Sequence, residues 1–252
     1  MIPIAIQTLD RPDYLSRTLK SLEKSGVFDW CSNMHVFDCG SSMNSLARVE
    51  DLCLVYGLEL HKSPTGRLKL HEGVARMDMV LGEDFIRLED DILVCRNWYP
   101  YVVVIMNSLE DWEVINFYCL DSYYQLNPSN LDRVFRKGPT THYGICLVAF
   151  KHGVVERINR CKIETNQPFD IAMSLECGWY DEYTMKLAKK LIGEKKVGTG
   201  SNTMCMHVPT LCQHIGDYSV EGAVSHQANS KVIPNASDFV GEEFDALRLL
   251  MD

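Results

Sequence analysis

Glu89, Asp90 and Asp91 stand in a row where the apolar run Phe85-Ile86-Arg87-Leu88 ends and Ile92-Leu93-Val94 begins. A carboxylate taken out of water without a partner costs several kcal/mol or raises its pKa. Three in succession between apolar residues therefore call for a cation. A hard divalent ion such as Mg²⁺ or Mn²⁺ prefers carboxylate oxygens and shares its remaining positions with phosphate and water. Asp91 is expected to face solvent and hold the ion. Taken alone, the stretch also fits a solvated, idle acidic turn after an edge strand.

Two further groups have similar placement. Thr8, Asp10 and Arg11 follow the β-prone run from Ile2 to Leu9, and Asp38, Gly40 and Ser41 follow Met34 to Phe37. The elements between them predict how they are held. Pro12 suits a first helical turn, Leu15, Leu19 and Leu22 recur at helical spacing, and Gly26 closes that helix. Helices are predicted over 44–56, closed by Gly57, and over 66–81, closed by Gly82, with a brief strand over 58–60 between them. Strand and helix alternate up to the acidic run, which predicts an α/β fold with a mostly parallel sheet and helices on both faces. In such sheets ligands sit beyond the carboxyl ends of the strands. All three polar groups lie at such ends, which favours a functional cluster over an idle turn.

The second half is less regular. A helix over 98–109 with a kink at Pro100, strands over 113–118 and 145–150, a helix over 181–191 and a strand within 208–216 are predicted. No repeat, low-complexity tract or linker interrupts the chain. Residues 1–252 are expected to form one unit, with a ligand-binding half over about 1–110 and an acceptor half over about 111–252.

The 252 residues carry a net charge of −9, which argues against a broad, non-specific nucleic-acid surface. No apolar run is long enough to span a bilayer, and no basic segment precedes the first strand in the manner of a signal peptide. The ten Cys show no C-x-x-C pair. A cytoplasmic protein in a reducing compartment is the expectation.

Ile4-Ala5-Ile6-Gln7-Thr8-Leu9-Asp10-Arg11-Pro12, Phe37-Asp38-Cys39-Gly40 and Glu89-Asp90-Asp91 together resemble the GT-A nucleotide-sugar glycosyltransferases. The likeness is greatest to N-acetylglucosaminyltransferase I and its relatives, which share the Glu-Asp-Asp form of the metal motif. Pro209-Thr210-Leu211-Cys212-Gln213-His214-Ile215-Gly216 is similar to the Pro-Ser-Leu-x-Gln-His-x-Gly stretch of N-acetylglucosaminyltransferase IV and bacterial relatives. The resemblance runs from residue 2 to about residue 220. It departs in two respects: those Golgi enzymes carry a membrane anchor, and no such span is legible here; and the chain is short, which suits a catalytic core and carries over no substrate identity.

The resemblance implies a GT-A, Rossmann-like fold and a metal-dependent transfer from a UDP-sugar or similar donor. It places Thr8 and Arg11 beside the nucleotide, Asp38 on the base with Gly40 allowing close approach, and Arg76 toward the diphosphate. Asp91 would bind Mn²⁺ or Mg²⁺ directly, with His214 completing the coordination, while Glu89 and Asp90 face the ribose and sugar. An inverting reaction also needs a carboxylate base at the acceptor. Trp179-Tyr180-Asp181-Glu182, after Gly178, resembles the Trp-Asp-Asp-Trp region of the first relatives, so Asp181 is the first choice and Glu182 the second. Asp170 is the rival, and Asp181 could be a helix cap alone.

Other constellations also fit plainer roles. Cys205-x-His207 and Cys212-x-His214 place ligand types on one strand face each, as a zinc site would, but Met204 and Met206 indicate a core strand. Trp98-Tyr99 and Tyr123-Tyr124 could stack an acceptor, but aromatics are more often core. His142-Tyr143-Gly144 could approach a donor or simply turn. The acceptor is expected to be a glycan, with a hydroxymethylated pyrimidine in DNA as the alternative. DNA would require base flipping and a basic patch, for which Arg133, Arg136, Lys137 and Lys151 are the candidates. A nucleotidyltransferase or a non-catalytic nucleotide-sugar-binding module is the alternative class, though no Gly-rich basic loop for a triphosphate is present.

Overall fold

The computed structural model describes residues 1–118, 134–135, 145–178, 182–193, 203–207, 209–215 and 239–251. Apart from the short α2, which was not predicted, the first part alternates as predicted: β1 (Ile4–Thr8), α1 (Pro12–Ser25), α2 (Val27–Trp30), β2 (Met34–Asp38), α3 (Met43–Tyr56), β3 (Glu59–Lys62), α4 (Leu70–Leu81) and β4 (Phe85–Glu89). α1 ends at Gly26, whose left-handed backbone turns its N–H back onto the Glu23 and Leu22 carbonyls. α4 starts at Leu70 rather than at residue 66, because Gly66 stands at φ 90°, outside the right-handed helical region.

β5 (Ile92–Val94), α5 (Trp98–Ser108), β6 (Val114–Asn116), β7 (Val134–Phe135), β8 (Leu147–Phe150), α6 (Val154–Thr165), α7 (Phe169–Cys177), α8 (Glu182–Leu191), β9 (Met204–His207) and β10 (Cys212–His214) follow, with a final 3-10 helix at Ala246–Leu250. Pro100 falls in the first turn of α5, where its missing N–H has no helical partner to lose. α6 and α7 were not predicted. Val154, Val155, Ile158 and Cys161 form a buried helical stripe in α6, but charged residues thin the signal. α7 is short and apolar on nearly all sides, so its sequence shows no periodicity.

Eight strands form one sheet in the order β3-β2-β1-β4-β8-β6-β9-β7. β3, β2, β1 and β4 are mutually parallel, and β8 and β7 run against their neighbours. Strand alternation divides the core between the two faces. Ile4, Ile6, Val36, Ile86 and Leu88 pack with Leu15, Leu19, Val49 and Trp98 from α1, α3 and α5. Ala5, Phe37, Phe85, Val148 and Phe150 pack with Val74, Met77, Ile158 and Met173 from α4, α6 and α7. Strands buried on both faces read as continuous apolar runs, as these do. A second, two-stranded antiparallel sheet joins β5 to β10. No helix among the described residues is long and apolar enough to cross a membrane.

Candidate functional site

Because β2, β1 and β4 are adjacent and parallel, Thr8 pairs with Asp38 and Gln7 with Glu89, and the polar groups of three strands meet at one edge. The chain then turns through Asp90 and Asp91 into β5. Thr18 of α1 holds that turn: its Oγ1 donates to the Asp90 carbonyl at 2.8 Å and accepts from the Ile92 N–H at 3.0 Å. The β5–β10 pairing places His214 opposite Ile92, and the Ile215 N–H donates to the Asp91 carbonyl at 2.8 Å. Residues far apart in sequence are thus brought to one point. His214 Nε2 lies 3.1 Å from Asp91 Oδ2 and 4.0 Å from Glu89 Oε2. One ligand-type atom from each of Glu89, Asp91 and His214 falls within 4.8 Å of the others.

Asp91 does not face solvent as expected; it is 0 % exposed, and so is Asp90. Arg11 compensates the buried charge. Its Nη1 donates to Asp91 Oδ2 at 2.6 Å, and its Nη2 contacts Asp90 Oδ1. Burial pushes the Asp90 carboxyl up, to about 7, against the pull of Arg11 and with the repulsion of Asp91 adding to the rise. Burial acts on Asp91 in the same direction, but the hydrogen bond and charge of His214, together with Arg11, outweigh it and hold Asp91 below the usual carboxylate range. His214 answers in kind. Burial works to lower it, while the hydrogen bond to Asp91 and the charges of Asp91 and Glu89 bring it above its usual value.

Whether these residues fit a divalent ion can be judged from the atoms. Asp91 Oδ1 is buried and has no hydrogen-bond partner among the described residues. Two carboxylates and an imidazole converge beside it, a donor set that suits Mn²⁺ as well as harder ions. The residues fit.

The Asp90 carboxylate is held within the chain, accepting from Thr8 Oγ1 at 2.6 Å and from Arg11. The Asp38 carboxylate caps its own loop, accepting from the Gly40 and Ser41 N–H groups at 3.0 Å and 3.1 Å. Gly40, at φ 95°, does allow a close approach, but of the Gly66 and Arg67 backbone, into which a Cβ would run. Arg76 projects from α4 over the Phe37 ring, 5.8 Å from its centroid, and donates to the His61 carbonyl at 3.1 Å. Glu182 is the first residue of α8. Asp181, His142-Tyr143-Gly144, Tyr123-Tyr124, Arg133, Arg136 and Lys137 lie outside the described residues.

Zinc ligation by the two Cys-x-His pairs fails on topology. β9 lies in the large sheet and β10 in the small one. Both His207 ring nitrogens are engaged, with Tyr101 Oη at 2.6 Å and the Pro209 carbonyl at 2.9 Å. Trp98 and Tyr99 are core residues. Lys151 leaves the acidic edge altogether. β8 runs antiparallel to β4 with Phe150 opposite Phe85, so Lys151 emerges at the far end of the sheet, 3.0 Å from Asp84.

Arg87 went unrecognised in the sequence. It is fully buried, and Gln7 Oε1 accepts from its Nε at 3.1 Å and its Nη2 at 2.9 Å, while Glu89 Oε1 lies 3.2 Å from Nη2. It backs the site and orients Glu89. The signal was present: Gln7 and Arg87 are polar residues inside otherwise apolar strands.

No protein-family model matches the chain, and no curated protein matches it. Among solved structures, GalNAc-T7 with UDP, GalNAc and Mn²⁺ superposes at TM-score 0.55 and 12% identity, over 93% of this chain and 47% of that one. A mannosyltransferase of Pyrobaculum calidifontis, in complex with GDP-Man and Mn²⁺, gives 0.48 at 15% identity, over 82% and 56%. A cytidylyltransferase of Leptospira borgpetersenii gives 0.48 at 12%, over 99% and 92%. The chain thus spans about half the length of the first two. The mostly parallel mixed sheet with helices on both faces is the GT-A fold.

Proposed function

We propose that this chain is a metal-dependent glycosyltransferase that moves a sugar from a UDP-sugar or similar nucleotide-sugar to an acceptor hydroxyl, with inversion. The convergence of Glu89, Asp91 and His214 at the strand ends of a GT-A fold carries the assignment. The UDP, GalNAc and Mn²⁺ named for GalNAc-T7 support it, as does the likeness to N-acetylglucosaminyltransferase I and IV motifs.

Glu89, Asp91 and His214 would hold Mn²⁺ or Mg²⁺. Such an ion, when bound, neutralises the charge gathering on the leaving diphosphate. Arg11 brings a fixed positive charge to the same edge. Asp90 acts from behind, orienting Thr8 and Arg11. Asp38 and Gly40 shape the loop that would border the nucleotide, and Arg76 holds the neighbouring strand end. The acceptor oxygen bonds to the anomeric carbon as the bond to the diphosphate breaks, and the acceptor proton passes to a carboxylate. Asp181 is assigned that role, with Glu182 and Asp170 as rivals. Residues 1–252 would act as one catalytic unit in a reducing cytosol. In support, seven buried cysteines among the described residues, Cys31, Cys39, Cys53, Cys95, Cys146, Cys161 and Cys177, are free thiols.

A neutral glycan is the preferred acceptor over hydroxymethylated DNA, because Lys151 lies away from the acidic edge. The test is a panel of nucleotide-sugars with Mn²⁺, offered with a mixed glycan array and with hydroxymethylated DNA at two salt concentrations. Release of nucleoside diphosphate with salt-insensitive transfer to glycans supports the proposal. Transfer to DNA that falls steeply with salt moves the acceptor to DNA. Release of pyrophosphate, or of nothing from any donor, overturns the glycosyltransferase assignment.

A further inference from the structure

A second convergence of ligand-type side chains lies on the adjacent strands β2 and β3. The strands pair in parallel with His35 opposite Glu59 and Phe37 opposite His61, so all four side chains leave the same face, the one covered by α4. His35 Nδ1 lies 3.0 Å from His61 Nε2. Glu59 reaches both, with Oε2 3.4 Å from His35 Nδ1 and Oε1 3.4 Å from His61 Nε2.

These separations have a specific meaning. Ligand bonds of about 2.0–2.1 Å around a tetrahedral ion put neighbouring nitrogen and oxygen atoms roughly 3.3–3.4 Å apart. His35 Nδ1, His61 Nε2 and the two Glu59 carboxylate oxygens stand close to such separations, with the imidazole pair, in hydrogen-bond contact at 3.0 Å, slightly tighter.

The surroundings prepare the rings for that role. Asn33 Oδ1 accepts the His35 Nε2 proton at 2.7 Å, which leaves the Nδ1 lone pair aimed at His61 and Glu59. A carbonyl partner on the far nitrogen is the usual way a metal-binding imidazole is oriented. The His61 ring stacks on Phe37 at 4.4 Å, and Arg76 pins the His61 carbonyl at 3.1 Å. Glu59 is exposed, so the fourth side of the cluster opens to solvent.

We propose that His35, Glu59 and His61 form a tetrahedral divalent-metal site of the zinc type, completed by a solvent molecule, which fastens strand β3 to β2. β3 ends the strand order of the large sheet, so a clasp there secures an edge that, among the described residues, pairs on one side only. The site is independent of the Glu89, Asp91 and His214 cluster and of the glycosyltransferase proposal.

The experiment is calorimetric titration of Zn²⁺ into the full, metal-stripped chain carrying His214→Ala, which weakens the other cluster. Co²⁺ titration followed by visible absorption reports the geometry. One ion per chain with an intense tetrahedral Co²⁺ spectrum is expected. Glu59→Gln, at an exposed position that leaves the fold unaffected, should weaken Zn²⁺ binding about 10-fold or more, and His61→Gln should abolish it. Absence of Zn²⁺ uptake overturns the site. So does Zn²⁺ uptake that Glu59→Gln leaves unchanged, whether or not His61→Gln folds.

Discussion

Arg11 Nη1 stands 2.6 Å from Asp91 Oδ2 while its other terminal nitrogen contacts Asp90. One guanidinium from the start of the first helix thereby spans both buried carboxylates of the acidic turn, whose own positions are set by Thr8 and Thr18. Arg11→Met removes the shared counter-charge and leaves buried charge uncompensated. Denaturant unfolding should show a loss of about 3–5 kcal/mol. Saturating Mn²⁺ should recover part of it, because a bound cation replaces the missing charge. A loss under about 1 kcal/mol would show that the pairing contributes little.

Asp91→Asn should lose the Mn²⁺-dependent stabilisation by donor. Since Asp91 is buried and paired to Arg11 and His214, the variant also loses stability outright, so the informative quantity is the difference with and without Mn²⁺. In the parent protein, UDP-sugar at about 100 times its Kd should add about 2.7 kcal/mol. His214→Ala should reduce that gain and Asp91→Asn should remove it. An undiminished gain in Asp91→Asn refutes Asp91 as a ligand.

Asp181→Asn should keep donor binding and lose sugar transfer by about 10²-fold or more. Asp170→Asn should be mild. Asp170 sits in the first turn of α7, where its Oδ1 accepts from the Ile171 N–H at 2.9 Å, a position suited to a carboxylate with no catalytic duty. The reverse outcome would assign the base to α7.

Gly40→Ala should cost about 1–3 kcal/mol, because alanine meets both a left-handed backbone and the Gly66 carbonyl. Gly57→Ala, at φ 65° with open space around it, should cost less, about 1 kcal/mol. Equal thermal-melt losses in the two variants would show that the packing against Gly66 is not tight.

Stability should fall in alkali. Burial raises the Cys95 thiol to about 12 and the Cys39 thiol to about 11, above the ordinary value of 9.0. A raised folded-state pKa gives stability that is complete below pH 9 and is lost as pH climbs toward 11–12. Melting temperature should therefore decline over that window, and alkylation of the native protein at pH 8 should be slow. Rapid labelling of Cys95 at pH 8 would contradict its burial.

The sequence by itself determined the strand-and-helix alternation of the first half, since Pro12, Gly26, Gly57 and Gly82 punctuate it and the apolar runs between them suit doubly buried strands. It also determined that Thr8, Asp38 and Glu89 would meet at one edge of the sheet, because all three end runs that become parallel neighbours. Side-chain direction was beyond its reach. Asp90 and Asp91 are consecutive, yet one carboxylate is locked inward by Thr8 and Arg11 while the other meets His214, and only the turn held by Thr18 makes that division. Joining His214 to Asp91 required the β5–β10 pairing, and joining His35 to His61 required the parallel register of β2 and β3. Both are contacts between strands whose spacing along the chain carries no trace of their distance in space. Local propensity and apolar period are written residue by residue, whereas pairing and register emerge only when the whole sheet is buried at once.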